Sequence, residues 1–103
     1  MPEPAVLFDD YAKQLRRELL DYELRLCEWS DERKKCIAKT QLTGIRERLY
    51  IHEASRVRRS KAAHAKLRDP RLLAEALADI DAEFITYRES QERLLNTIRR
   101  LFT

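Results

Sequence analysis

His52 stands beside Glu53, His64 follows twelve residues later, and Asp79, Asp81 and Glu83 crowd a later stretch. These side chains have the types that metal binding or acid–base catalysis would need. Their spacing does not serve either. A helix presents two metal ligands together when they lie one turn apart, as in His-x-x-x-His or Glu-x-x-His, and neither spacing occurs. Asp79 and Glu83 share a face at i,i+4, but no histidine joins them. Cys27 and Cys36 are the only cysteines, with no second Cys or His at ligand spacing, and are too few for a disulfide scaffold. A reduced, cytoplasmic setting follows as the expectation. The single glycine, Gly44, rules out a glycine-rich phosphate loop, and no Ser or Cys has a base nearby in the chain. The expectation is therefore a non-enzymatic chain without cofactor, metal or catalytic residues.

The remaining feature with chemical content is basic. From 55 to 68 the chain carries six cations, Arg56, Arg58, Arg59, Lys61, Lys66 and Arg68, and no anion. Arginine outnumbers lysine fifteen to six over the whole chain, and its planar guanidinium grips phosphate in a two-pronged fork. Contact with nucleic acid, or with an acidic partner, is one expectation for this stretch. In composition Arg58 to Lys66 resembles the basic helix of leucine-zipper transcription factors. It departs from them by lacking the base-reading asparagine and by running into Asp69-Pro70 instead of a zipper.

The elements that would position these residues are helices. Of 103 residues, 38% are charged and 44% hydrophobic, and the only prolines are at 2, 4 and 70. A strand-rich fold needs turn residues that this chain lacks, so the class is all-α. From Leu73 an unbroken 4-3 rhythm runs through Leu77, Ile80, Phe84, Tyr87, Gln91, Leu94, Ile98 and Leu101. Asp69 and Pro70 suit the N-cap and first position of that helix. Phe8, Ala12, Leu15, Leu19, Tyr22, Leu26 and Trp29 repeat at the same spacing near the start. Between them Ala38, Leu42, Ile45 and Leu49 form a stripe that slips to Tyr50, Ala54 and Val57, which reads as a stutter. Gly44 lies inside this pattern, where its missing side chain would admit a neighbouring helix or Trp29. Ser30, followed by Asp31 and Glu32, has N-cap character, so the first two helices either break there or run on as one rod.

These signals predict one helical domain over 1–103 with helices at roughly 5–29, 31–68 and 70–102. The architecture is a three-helix antiparallel coiled-coil-like bundle, or a long helical hairpin with an overhanging first helix. Net charge is −3 over residues 1–29, +3 over 30–49, +5 over 50–68 and −2 over 69–103. A middle helix antiparallel to both flanks could neutralise much of its own basic run. The longest early apolar run, Ala5 to Phe8, is too short for a secretory core or a membrane span.

The first helix also carries a second apolar line, Leu20, Leu24 and Cys27, and the last widens at Leu95 and Phe102. Leftover apolar surface marks interaction sites. The functional expectation is a small interaction protein, a homodimer that also binds another protein, with an interface of Leu20, Leu24, Cys27, Trp29, Leu95 and Phe102. Nucleic-acid binding or regulation through the 55–68 face is the alternative.

Overall fold

The computed structural model describes residues 4–103, with side chains from Leu7 onward, so residues 1–3 of the expected domain lie outside the described residues. Helices α1 (Pro4–Leu26), α2 (Glu32–Lys66) and α3 (Pro70–Leu101) make up the fold, with no strand among the described residues. Each boundary has a local cause. At the end of α1 the amides of Cys27, Glu28 and Trp29 reach back only three residues, to the carbonyls of Leu24, Arg25 and Leu26, tightening the last turn. The N-cap of α2 is Asp31, not Ser30. Asp31 takes an extended conformation and its carboxylate accepts from the Arg33 and Lys34 amides, both at 3.1 Å. Rod and bundle are thereby distinguished: α1 and α2 are separate helices. Leu67 is extended and donates its amide to the Ala63 carbonyl at 2.9 Å, and Asp69 caps α3 through the Arg71 amide at 2.9 Å with Pro70 beside it.

The core takes Phe8, Tyr11, Ala12, Leu15, Leu19, Tyr22 and Leu26 from α1 and Ala38, Leu42, Ile45 and Leu49 from α2. From α3 come Phe84, Leu95, Ile98 and Phe102, with Trp29 and Tyr87 packed against them. The α1 seam is the one expected. In α3 the buried line shifts after Gln91: Ile98 stays buried as expected and Leu95 is fully enclosed (0% exposed), whereas Leu94 and Leu101 are 43% and 44% exposed. Here α3 packs against two helices, so its buried arc swings toward α1 and takes Leu95 and Phe102. Leu94 and Leu101 are left exposed.

The α2 stutter is absent. Beyond Leu49 the inward positions pass to His52, Arg56 and Ala63, keeping the 4-3 rhythm, while Tyr50, Ala54 and Val57 face outward. Gln91, itself fully buried, ties α3 to α2. Its amide donates to the Ile45 carbonyl at 3.0 Å and the Tyr87 hydroxyl at 2.9 Å, and its carbonyl accepts from Arg48 Nε at 3.2 Å. All four groups in this network thus find partners at a position where an unpaired amide would be costly.

Gly44 does not admit a neighbour. A Cβ built there meets nothing within 4 Å, and its φ is not positive. Gly44→Ala should therefore raise unfolding stability by about 1 kcal/mol through helix propensity alone, read from the urea midpoint. A loss would mean that this position needs glycine.

At 1.5 Å per residue the 23 residues of α1 span about 35 Å, against about 50 Å for the 35 and 32 residues of α2 and α3. The α2–α3 hairpin overhangs α1, the reverse of an overhanging first helix. No helix among the described residues is long and apolar enough to cross a membrane.

Candidate protein-interaction surface

The basic stretch divides in two. Arg56 points inward, with its side chain only 11% exposed. Its guanidinium lies over the Phe8 ring at 4.5 Å and the Phe84 ring at 5.7 Å, donates to Asp81 at 3.0 Å, and reaches the Ile80 carbonyl at 3.4 Å. Arg59 pairs with Glu83. Both belong to the α2–α3 hairpin and not to a free basic face. Arg58, Lys61, Lys66 and Arg68 are exposed and make no ion pair among the described residues. At 100° per residue Arg58, Lys61 and Lys66 fan out over an arc of about 140°.

Elsewhere charge complementarity also runs between helices. Arg46 meets Glu23 at 2.6 Å, Arg16 meets Glu53 at 2.8 Å, and Arg99 holds Glu18 through two bonds of 2.7 and 2.9 Å. Hydrogen bonding to Arg99 holds the Glu18 carboxyl below the usual carboxylate range. Burial, with the Glu18 hydrogen bond, pushes the neighbouring Tyr22 hydroxyl up to about 12.

Neither histidine gathers carboxylate or cysteine partners, and no group of three or more metal-ligating side chains occurs among the described residues. His52 lies at the junction of all three helices. It stacks on Tyr87 with ring centroids 4.1 Å apart and touches Phe8 at 5.6 Å, and its Nε2 is enclosed without a hydrogen-bond partner among the described residues. Burial chiefly, then the Arg56 and Arg59 charges, hold its pKa below the ordinary 6.5, with Glu83 opposing them. Below that pH the unfolded chain binds a proton that the folded chain lacks. Stability therefore falls as pH drops from about 6.5 toward the folded value and levels off below it. The urea midpoint should decline as pH falls below about 6.5, and His52→Gln should flatten that decline. Glu18 acts only at lower pH, because its contribution is lost as pH falls below its ordinary 4.5.

The expected interface residues also divide. Leu95 and Phe102 are core. Phe102 stacks on Tyr22 at 4.4 Å and meets Trp29 at 4.9 Å, so Trp29 is half-buried against the same chain. A partner cannot reach Leu95, which is wholly enclosed. Leu20 and Leu24 are exposed on one face of α1, at 54% and 63%, and Cys27 is exposed in the turn that follows it. Tyr50 of α2, 70% exposed, lines the same surface groove as Leu20, together with Arg16, Arg46 and Leu49. Tyr50 was missed because the apparent stutter placed it inward. Continuing the rhythm through His52 and Arg56 would have placed it outside.

Comparison of the chain with protein-family models, curated proteins and solved structures finds no match in any of the three. The molecule is thus defined by its architecture, a three-helix bundle with apolar side chains exposed along the α1–α2 groove.

Proposed function

We propose that this chain is a non-enzymatic helical interaction protein that self-associates and engages another protein through exposed apolar helix surface. The observation that carries this reading is that Leu20 and Leu24 stand exposed one turn apart on α1, with the exposed Tyr50 lining the same groove as Leu20. Single exposed leucines are ordinary on protein surfaces, whereas aligned ones beside an exposed tyrosine are the pattern of an interface. Aromatic side chains such as Tyr50 supply much of the energy in such contacts. A second apolar surface is available to a different partner beside the start of α1. There Val57 and Leu77, over the buried Phe8 and Ile80, line an open groove of about 690 Å³ between α2 and α3.

Substituting both Leu20→Glu and Leu24→Glu should give a monomer by light scattering. Both positions are already in water, so the helical circular dichroism should be kept. A wild type that stays monomeric at high micromolar concentration would contradict self-association.

A further inference from the structure

The first half of α1 packs where the core has unmet polar groups. Two enclosed side-chain atoms there have no hydrogen-bond partner among the described residues. One is the Tyr11 hydroxyl, which lies beside Glu92 without bonding to it. The other is Nε2 of His52, whose ring is met by Phe8 at 5.6 Å. Each forfeits the hydrogen bonds that water would give it. The second half of α1 is held differently. Glu18 is bound by Arg99, Glu23 by Arg46, and Arg25 donates to the Phe102 carbonyl at 2.7 Å. Between Leu7 and Arg16 the single interhelical ion pair among the described residues is Arg16 with Glu53, and it is half-exposed.

Beneath that half the hairpin is closed by its own bonds: Gln91 with Ile45 and Arg48, Arg48 with Ser90, Arg56 with Asp81, and Arg59 with Glu83. The α2–α3 turn is at this end of the bundle, whereas α1 joins α2 at the other, through residues 27–31. When the junction around His52 opens, α1 is therefore the helix that moves.

A proton on His52 supplies the reason to open, because no free anion faces the imidazole in the closed bundle. From α2 come Arg48, Arg56 and Arg59, while Glu53 is taken by Arg16. From α3 come Tyr87, whose hydroxyl accepts from Gln91, Asp81 taken by Arg56, and Glu83 taken by Arg59. From α1 come Phe8 and, against the same Tyr87, Tyr11. We infer that the first half of α1, as far as Leu15, is an acid-opened flap: protonation of His52 lifts it from the hairpin, lets water reach Nε2 and the Tyr11 hydroxyl, and uncovers Phe84, Tyr87 and Ile80 as an apolar seat. Burial, Arg56 and Arg59 hold the closed imidazole below the ordinary 6.5, and exposure relieves all three, so the open form binds the proton more tightly. Opening grows as pH falls below about 6.5 and levels off once the closed form also takes the proton.

Native-state amide hydrogen exchange on the full chain, read residue by residue by NMR and corrected for the intrinsic effect of pH, tests this. At about pH 7.5 the amides of residues 8–15 should be at least roughly tenfold less protected than those of Leu42, Leu49 and Leu95, and low urea should not change their exchange, as for a local opening. At about pH 5.5 they should lose further protection, with a midpoint that follows the ring protons of His52 and not those of the exposed His64. His52→Gln should abolish the loss. Tyr11→Phe, which removes one unpartnered hydroxyl, should raise the protection of this segment at both pH values and keep its pH dependence. Protection equal to that of the core at both pH values, or an acid loss unchanged in His52→Gln, overturns the flap. Lower protection in Tyr11→Phe overturns it too, since the hydroxyl would then be bonded. If His52→Gln loses its helical circular dichroism, the wild-type midpoint decides, and a midpoint that follows His64 or neither histidine overturns the inference.

Discussion

Phe84→Ala is expected to lower the unfolding free energy by about 3–5 kcal/mol, the range for emptying an enclosed aromatic site. Phe84 is 4% exposed and sits where the three helices meet. Its ring lies edge-on to Phe8 at 5.4 Å and to Tyr11 at 5.7 Å, and the Arg56 guanidinium lies over it. Those neighbours come from both other helices, so the site cannot collapse without moving α1. Domains of this size hold only about 5–15 kcal/mol in total. The variant should unfold at a much lower urea concentration than wild type, and should be partly unfolded without urea if the wild type holds only about 5 kcal/mol. Melting like that of the wild type would place Phe84 outside the core.

Arg56→Ala ranks second, at roughly 2–4 kcal/mol. Three contributions are lost together: the cation–π contacts to Phe8 and Phe84, the ion pair with Asp81, and the bond to the Ile80 carbonyl. Asp81, 26% exposed, is left without its counter-charge. Arg56→Lys should recover only part of the loss, since an ammonium cannot lie flat on two rings while donating to a carboxylate. Arg58→Ala, two residues away but exposed, should stay within about 0.5 kcal/mol of wild type. Equal effects of Arg56→Ala and Arg58→Ala in urea unfolding would show that both arginines are solvated.

That contrast marks where sequence and structure part. Helix number and the Asp69-Pro70 start of α3 were legible because caps and breakers act locally, and so was the α1 seam from Phe8 to Leu26, because apolar periodicity reports directly on burial. The inward path of α2 was not legible. A histidine and an arginine occupy it at 52 and 56, and they are accommodated there only by rings and a carboxylate from α1 and α3. The same non-local cause moved Leu95 and Phe102 from the expected interface into the core, since their burial depends on which side of α3 the first helix covers. Of the interaction surface, Leu20 and Leu24 were readable as a second line on α1, whereas Tyr50 emerged only once α2 was correctly phased. Within the basic run, sequence alone could not separate Arg56 and Arg59 from Arg58, because their pairing with Asp81 and Glu83 is set by the hairpin register.

Self-association through the exposed face of α1 is tested most directly by the molar mass of the wild-type chain in solution, measured by light scattering at high micromolar concentration. A mass of twice the 12.3 kDa of one chain is the expected result. A mass of 12.3 kDa, unchanged with concentration, would contradict it and leave Leu20, Leu24 and Tyr50 as surface for a different protein.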